Sequence, residues 1–206
     1  MTSQRSSLAE PTRLELLKRS LKESIAVKQA MLDSSAILDG LVAVANRMAE
    51  TLRRGGKILF FGNGGSASDS LHLAGELVGR FGPHSRLGLP ALALPANAAV
   101  LTAIGNDFGF EEVFSRQIEA LGNSGDVAVG ISTSGRSKNV LKGIEMAKKK
   151  GLFAVGLTGE NGGDLQKLAD LCLCVPSSNT QRIQESHILI GHALCELIED
   201  QLLKQK

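Results

Sequence analysis

With 206 residues, 43% of them hydrophobic and 21% charged, the chain has the composition of one soluble domain with enough apolar mass for a core. A formal net charge of +2, no Trp, no Tyr and only seven Phe argue against the basic stripe and stacking aromatics of a nucleic-acid binder. No apolar run approaches the roughly 18 residues of a membrane span, and the N-terminus lacks the apolar core of a secretory signal, so a cytoplasmic protein without a membrane partner is expected.

Residues 1–10 are polar and read as a flexible tail, followed by Pro11 in the first turn of a helix, where its missing N–H costs nothing. From Thr12 to about Arg54, Leu14, Leu17, Leu21 and Ile25, then Leu38, Leu41, Val44, Met48 and Leu52 recur at helical spacing. Asp33-Ser34-Ser35 is the expected break between two helices. Residues 11–54 therefore read as a helical arm preceding the main unit, residues 55–206, and such arms often pack on another subunit.

After Gly55-Gly56 the pattern changes. "KILFFG", "LPALALP", "DVAVGIS", "LFAVGLTG" and "DLCLCVP" are five short apolar runs, with helical stretches between most of them. That alternation predicts an α/β fold whose parallel sheet is covered on both faces. In open sheets of this kind ligands sit beyond the carboxyl ends of the strands. Two Gly- and Ser-rich segments fall there: "GNGGSASDS" after the first strand and "STSGRSKNV" after the third.

Small residues at a helix N-terminus let free amides approach an anion, and the second segment adds hydroxyls with Arg136 and Lys138, so a phosphate would be well housed. Neither segment has the Lys-Ser/Thr of a P-loop or the spacing of a dinucleotide turn, which disfavours a nucleotide. Taken singly, each is also explained as a tight turn with a capped helix. Two of them on one sheet favour a ligand.

His72 and Glu76, four residues apart, share one helix face, which suits a shared metal, a base beside a proton relay, or a plain surface ion pair. The last helix, roughly 181–204, carries Gln184, His187 and His192. Helix geometry alone favours Gln184 with His187, because about 12 Å of rise separates Gln184 from His192, but periodicity does not settle which histidine faces the site. In "LTAIGNDFGFEEVF", Asn106 and Asp107 read as a polar turn between helices. Cys172, Cys174 and Cys195 lack C-x-x-C spacing and read as buried reduced thiols.

Together, "NGGSASDSLHLAGELVGRF", "LTAIGNDFGFEEVFSRQIEALG", "GDVAVGISTSGRSKNV" and "RIQESHILIGHALCELIE" closely resemble the bacterial phosphoheptose isomerases of the sugar-isomerase (SIS) superfamily. The resemblance runs from the first helix to the last. It implies a flavodoxin-like five-stranded parallel sheet with an N-terminal helical arm, and a homotetramer with active sites between subunits. The implied reaction converts sedoheptulose 7-phosphate to D-glycero-D-manno-heptose 7-phosphate, the first step towards the heptose of lipopolysaccharide core.

It further implies one zinc ion per subunit, with ligands falling on His72, Glu76, Gln184 and His192. Substrate-binding positions fall on Asn63, Gly64, Gly65, Glu76, Asn106, Asp107, Ser132, Thr133, Ser134, Ser137 and Gln184. Moving a carbonyl from C2 to C1 needs a base for the carbon proton, for which Glu76 is the candidate, and an acid/base partner for the oxygen proton, for which His192 is. Two departures stand out: Gln181 where the family often has an acid, and Arg136 where it often has Asn. Two other roles compete: a non-enzymatic SIS protein that binds the replication initiator, and a sugar-phosphate-sensing regulatory domain. The first lacks the histidine and glutamate of the Gly-rich segment, which are present here, and the second needs no base.

Overall fold

The computed structural model describes residues 12–83 and 86–203. The tail expected over residues 1–10 lies outside them. Helices α1 (Arg13–Leu32) and α2 (Ser35–Arg53) come first, broken at Asp33-Ser34 as the sequence predicts. Thr12 and Glu15 form a reciprocal capping box on α1, and the Ser34 hydroxyl caps α2. The two helices are used differently. α2 buries Val44, Ala45, Met48 and Leu52 in the core, whereas α1 buries only Met31 and leaves Leu14, Leu17, Leu21 and Ile25 more than half exposed.

Five strands follow: β1 (Ile58–Gly62), β2 (Ala91–Ala93), β3 (Val127–Ile131), β4 (Phe153–Thr158) and β5 (Leu171–Cys174). All pair in parallel in the order β2-β1-β3-β4-β5, the flavodoxin-like arrangement. Residues alternate between two apolar layers. Ile58 and Phe60 pack towards α2, α3 (Gly65–Val78) and α8 (Thr180–Leu203), while Leu59 and Phe61 pack towards α5 (Ser115–Leu121), α6 (Lys138–Lys149) and α7 (Gly163–Leu168). Strand β2 is shorter than the run "LPALALP". Pro90 and Pro95 flank it, and neither can donate to the ladder, so the chain turns into a 3-10 helix at Leu94–Ala96.

The segment read as a polar turn around Asn106 and Asp107 is helical. α4 (Ala98–Asp107) starts under an Asn97 cap and runs through both residues to a stop at Phe108-Gly109. Of the three thiols, all free, only Cys195 is buried; Cys172 and Cys174 are half-buried on β5, an edge strand. No helix among the described residues is long and apolar enough to cross a membrane.

The strand order reverses between β1 and β3, because β2 lies on one side of β1 and β3 on the other. At such a switch point the loops leaving the two carboxyl ends diverge and open a crevice. Both Gly- and Ser-rich segments border it.

Candidate active site

The first segment carries the chain from β1 into α3. Gly64 takes φ +55°, a conformation that L side chains rarely adopt, and no side chain caps the helix; its first amides, of Ser66 and Ala67, donate instead to the Asn63 and Gly64 carbonyls. A Cβ on Gly65 would strike the Gln184 amide. That contact fixes the helix pairing: Gly65 meets Gln184, His72 meets His192, Leu73 packs on Gly191, and Phe81 meets Glu199. α3 and α8 thus run parallel, with the candidate chemistry strung along their groove.

Midway along that groove, His72 Nε2 and His192 Nε2 lie 2.8 Å apart and His72 Nε2 is 3.2 Å from Glu76 Oε1. The three donor atoms all fall within 4.8 Å of one another. Donors at the usual 2.0–2.2 Å from a tetrahedral ion would stand roughly 3.4 Å apart, so small side-chain rotations suffice to admit one. Two imidazole nitrogens and a carboxylate oxygen suit a borderline divalent ion. The Phe81 ring packs on His192 with centroids 5.5 Å apart. His72 stays about half exposed, so the cluster opens to solvent.

Asp69, one turn before His72, has a buried oxygen without a hydrogen-bond partner, and burial pushes its carboxyl up to about 6 against the opposing charge of His72. It stands in "SASDS" without any spacing signal.

His187, which helix geometry alone favoured, is elsewhere. It is fully buried, its Nε2 is 3.2 Å from the Thr158 carbonyl, and burial pushes it down to about 4. His187 faces the sheet while His192 faces α3. Because α8 is apolar on much of its circumference, hydrophobic spacing did not distinguish the two. The Gln184 amide rests on Gly65, about 10 Å of helix rise before His72.

The second segment, after β3, is folded on itself. The Ser132 and Ser137 hydroxyls lie 3.0 Å apart, the Arg136 amide donates to Ser134 Oγ, and the Gly135 amide donates to the Ser132 carbonyl. Gly135 takes φ +64° and presses on the Gly162 carbonyl, a place that excludes any Cβ. Thr133 and Ser134, with Arg136, line a cleft of about 200 Å³. The two segments are tied by Asn63 and Asn139, whose side-chain amides exchange two hydrogen bonds of 2.8 Å. Asn139 was not a sequence candidate, although it stands in the quoted "STSGRSKNV" at the opening of α6.

Asn106 and Asp107 are exposed in the last turn of α4, with Asn106 Nδ2 donating to Asp107. Among the described residues no contact joins them to the His72 cluster.

Comparisons with known proteins bear on the fold and the family. Residues 21–159 match the model of the SIS domain. The chain is 50% identical over 192 residues to the phosphoheptose isomerase of Aneurinibacillus thermoaerophilus, covering 93% of this chain and 96% of that one. Phosphoheptose isomerase GmhA from Neisseria gonorrhoeae superposes with a TM-score of 0.86 at 42% identity, and a phosphoheptose isomerase from Francisella tularensis with 0.88 at 37%. Each comparison covers 92% of this chain and 100% of the other. The chain belongs to the SIS domain family and, within it, to the phosphoheptose isomerases.

Proposed function

We propose that this chain is an aldose–ketose isomerase that interconverts sedoheptulose 7-phosphate and D-glycero-D-manno-heptose 7-phosphate through an enediol. The observation that carries this is the convergence of His72, Glu76 and His192 beside a crevice whose other wall is a serine-lined loop. A carboxylate and two imidazoles brought together supply both a base and an acid for proton transfer. The name borne by relatives about half identical to it supports the sugar.

The hydroxyls of Ser132, Thr133, Ser134 and Ser137 and the open amides of α6 hold the phosphate, with Arg136 adding charge. Asn63, Gly64 and Gly65 present backbone to the sugar at the other wall. Anchoring at the phosphate end restricts C1 and C2 to a small volume above Glu76. Glu76 takes the carbon proton from one carbon and returns it to the other, while His192 transfers the proton between the two oxygens.

We assign one zinc per subunit to His72, Glu76, Gln184 and His192. When bound, zinc supplies a Lewis acid for the charge that builds on oxygen. Gln184 joins that set only by turning its amide away from Gly65. Glu76 cannot be a tight ligand and a free base at once, so in the base role it would hold a metal only weakly or in a substrate-dependent way.

Uncovered leucines on α1, and Asn106 and Asp107 standing apart from the cluster, support a homotetramer in which neighbouring subunits complete each site. The resemblance to those relatives further supports a place in the cytoplasm, at the first step towards the heptose of lipopolysaccharide core. The test is incubation with sedoheptulose 7-phosphate before and after chelation. Aldose formation that falls on chelation and returns with zinc is expected; no product in either condition overturns the proposal.

A further inference from the structure

α3 ends just past Glu76, at Val78, where the last carbonyls of a helix lack partners within it. Arg86 supplies them. Its Nη2 donates to the Glu76 carbonyl at 2.9 Å and its Nη1 to the Leu77 carbonyl at 2.8 Å, which also places a cation at the negative end of the helix. Its Nε donates to Glu199 Oε1, and both side chains are about 95% buried, exposing only 5% and 6%.

Glu199 is shared in turn. Its two carboxylate oxygens accept the backbone amides of Phe81 at 3.1 Å and Gly82 at 2.9 Å, and a Cβ on Gly82 would meet Oε2. Burial alone would raise the Glu199 carboxyl, but Arg86 and the two amides outweigh it and hold it below the usual carboxylate value. Phe81, fixed through its amide, is the residue whose ring packs on His192. Glu199 itself lies two turns after His192 on α8, on nearly the same face.

One buried ion pair therefore touches the main chain of Glu76 on one side and, through Phe81, the ring of His192 on the other. We propose that Arg86 and Glu199 are positioning residues that set the separation of Glu76 and His192, an inference that rests on assigning proton transfer to those two groups. Neither residue reaches the crevice, and the Ser132–Ser137 loop is on the far wall. Loss of the pair should misplace the reacting groups and leave phosphate binding alone.

The variants are E199Q, which keeps the shape and an acceptor while removing the charge, and R86K, which keeps the charge but cannot span two carbonyls and a carboxylate. The control is T51A, which removes the 3.0 Å hydrogen bond to the Gly125 carbonyl at the opposite end of the sheet and lowers stability without approaching the site. Both test variants should lose about 10- to 100-fold in kcat on sedoheptulose 7-phosphate with KM within about twofold, whereas T51A keeps kcat. Zinc affinity of the metal-free proteins, read by competition with a chromophoric chelator and with no sugar present, should weaken about 10-fold in both test variants and stay unchanged in T51A.

Unchanged kcat and zinc affinity in E199Q and R86K, or losses matched by T51A, overturn the positioning role. Wild-type protein that binds zinc but does not isomerise overturns the isomerase assignment alone, and a weakened zinc affinity in the variants would then still support the pair. Wild-type protein that does neither overturns both.

Discussion

The loops leaving β1 and β3 are both Gly- and Ser-rich, yet they are held differently. The β3 loop combines short-range hydrogen bonds among Ser132, Ser134, Gly135, Arg136 and Ser137 with the amides of Gly159 and Leu165, which donate to the Thr133 and Gly135 carbonyls. The β1 loop and the helix it opens lean on distant residues: Asn63 on Asn139, Gly65 on Gln184, and the end of α3 on Arg86 and Glu199. A phosphate can be received by a loop braced mainly through its backbone, because any well-placed set of amides and hydroxyls will do. Proton transfer between two carbons tolerates far less displacement, and its groups are referenced to two helices at once.

The largest expected effect tests the chemical half of that division. E76Q keeps the shape of the side chain and removes its basicity, so kcat should fall by about 10³-fold while sugar-phosphate affinity changes less than about threefold. Steady-state turnover with calorimetric binding separates the two. Undiminished turnover would remove Glu76 from its role.

G135A tests the binding half. Its φ of +64° and the Gly162 carbonyl against it leave no room for a methyl group, so a loss of about 2 kcal/mol or more in unfolding free energy is expected, with a raised KM. Denaturant titration would show it, and an unchanged midpoint would mean that the loop can relax.

How much was legible follows the same line. Strands, sheet type and the α1–α2 break could be read because apolar period and caps are local. The β3 loop could be read because its Gly, Ser and Thr residues are contiguous in the sequence, although Gly159 and Leu165, which also brace it, carry no signal. His72 and Glu76 were visible as a pair on one face. The resemblance pointed to His192 over His187, but deriving that choice from the residues alone needed the packing of α8 between sheet and α3, which an apolar helix does not declare. Asn139, Arg86 and Glu199 carry no motif, since their partners come from remote elements. The helix through Asn106 and Asp107 overrode local turn chemistry because Asn97 caps it and Gly109 ends it.

S134A should be milder than G135A. It removes one hydroxyl that accepts from the Arg136 amide at 3.2 Å and faces the cleft, worth about 1 kcal/mol, so KM should rise about fivefold with kcat within about twofold. A fall in kcat with KM unchanged would blur the division between the two loops.

The smallest effect on turnover is the most diagnostic, because the Asn63–Asn139 pair joins the two halves. N139A removes two neutral hydrogen bonds, so a stability loss of about 2 kcal/mol is expected. Since Asn63 belongs to the β1 loop and Asn139 to the start of α6, kcat and KM should each shift a few-fold, unlike the one-sided changes above. In a cycle with N63A the double variant should lose little more than either single variant, because each truncation already breaks both bonds. Fully additive losses would mean that Asn63 and Asn139 act separately, leaving the two walls of the crevice without this side-chain link.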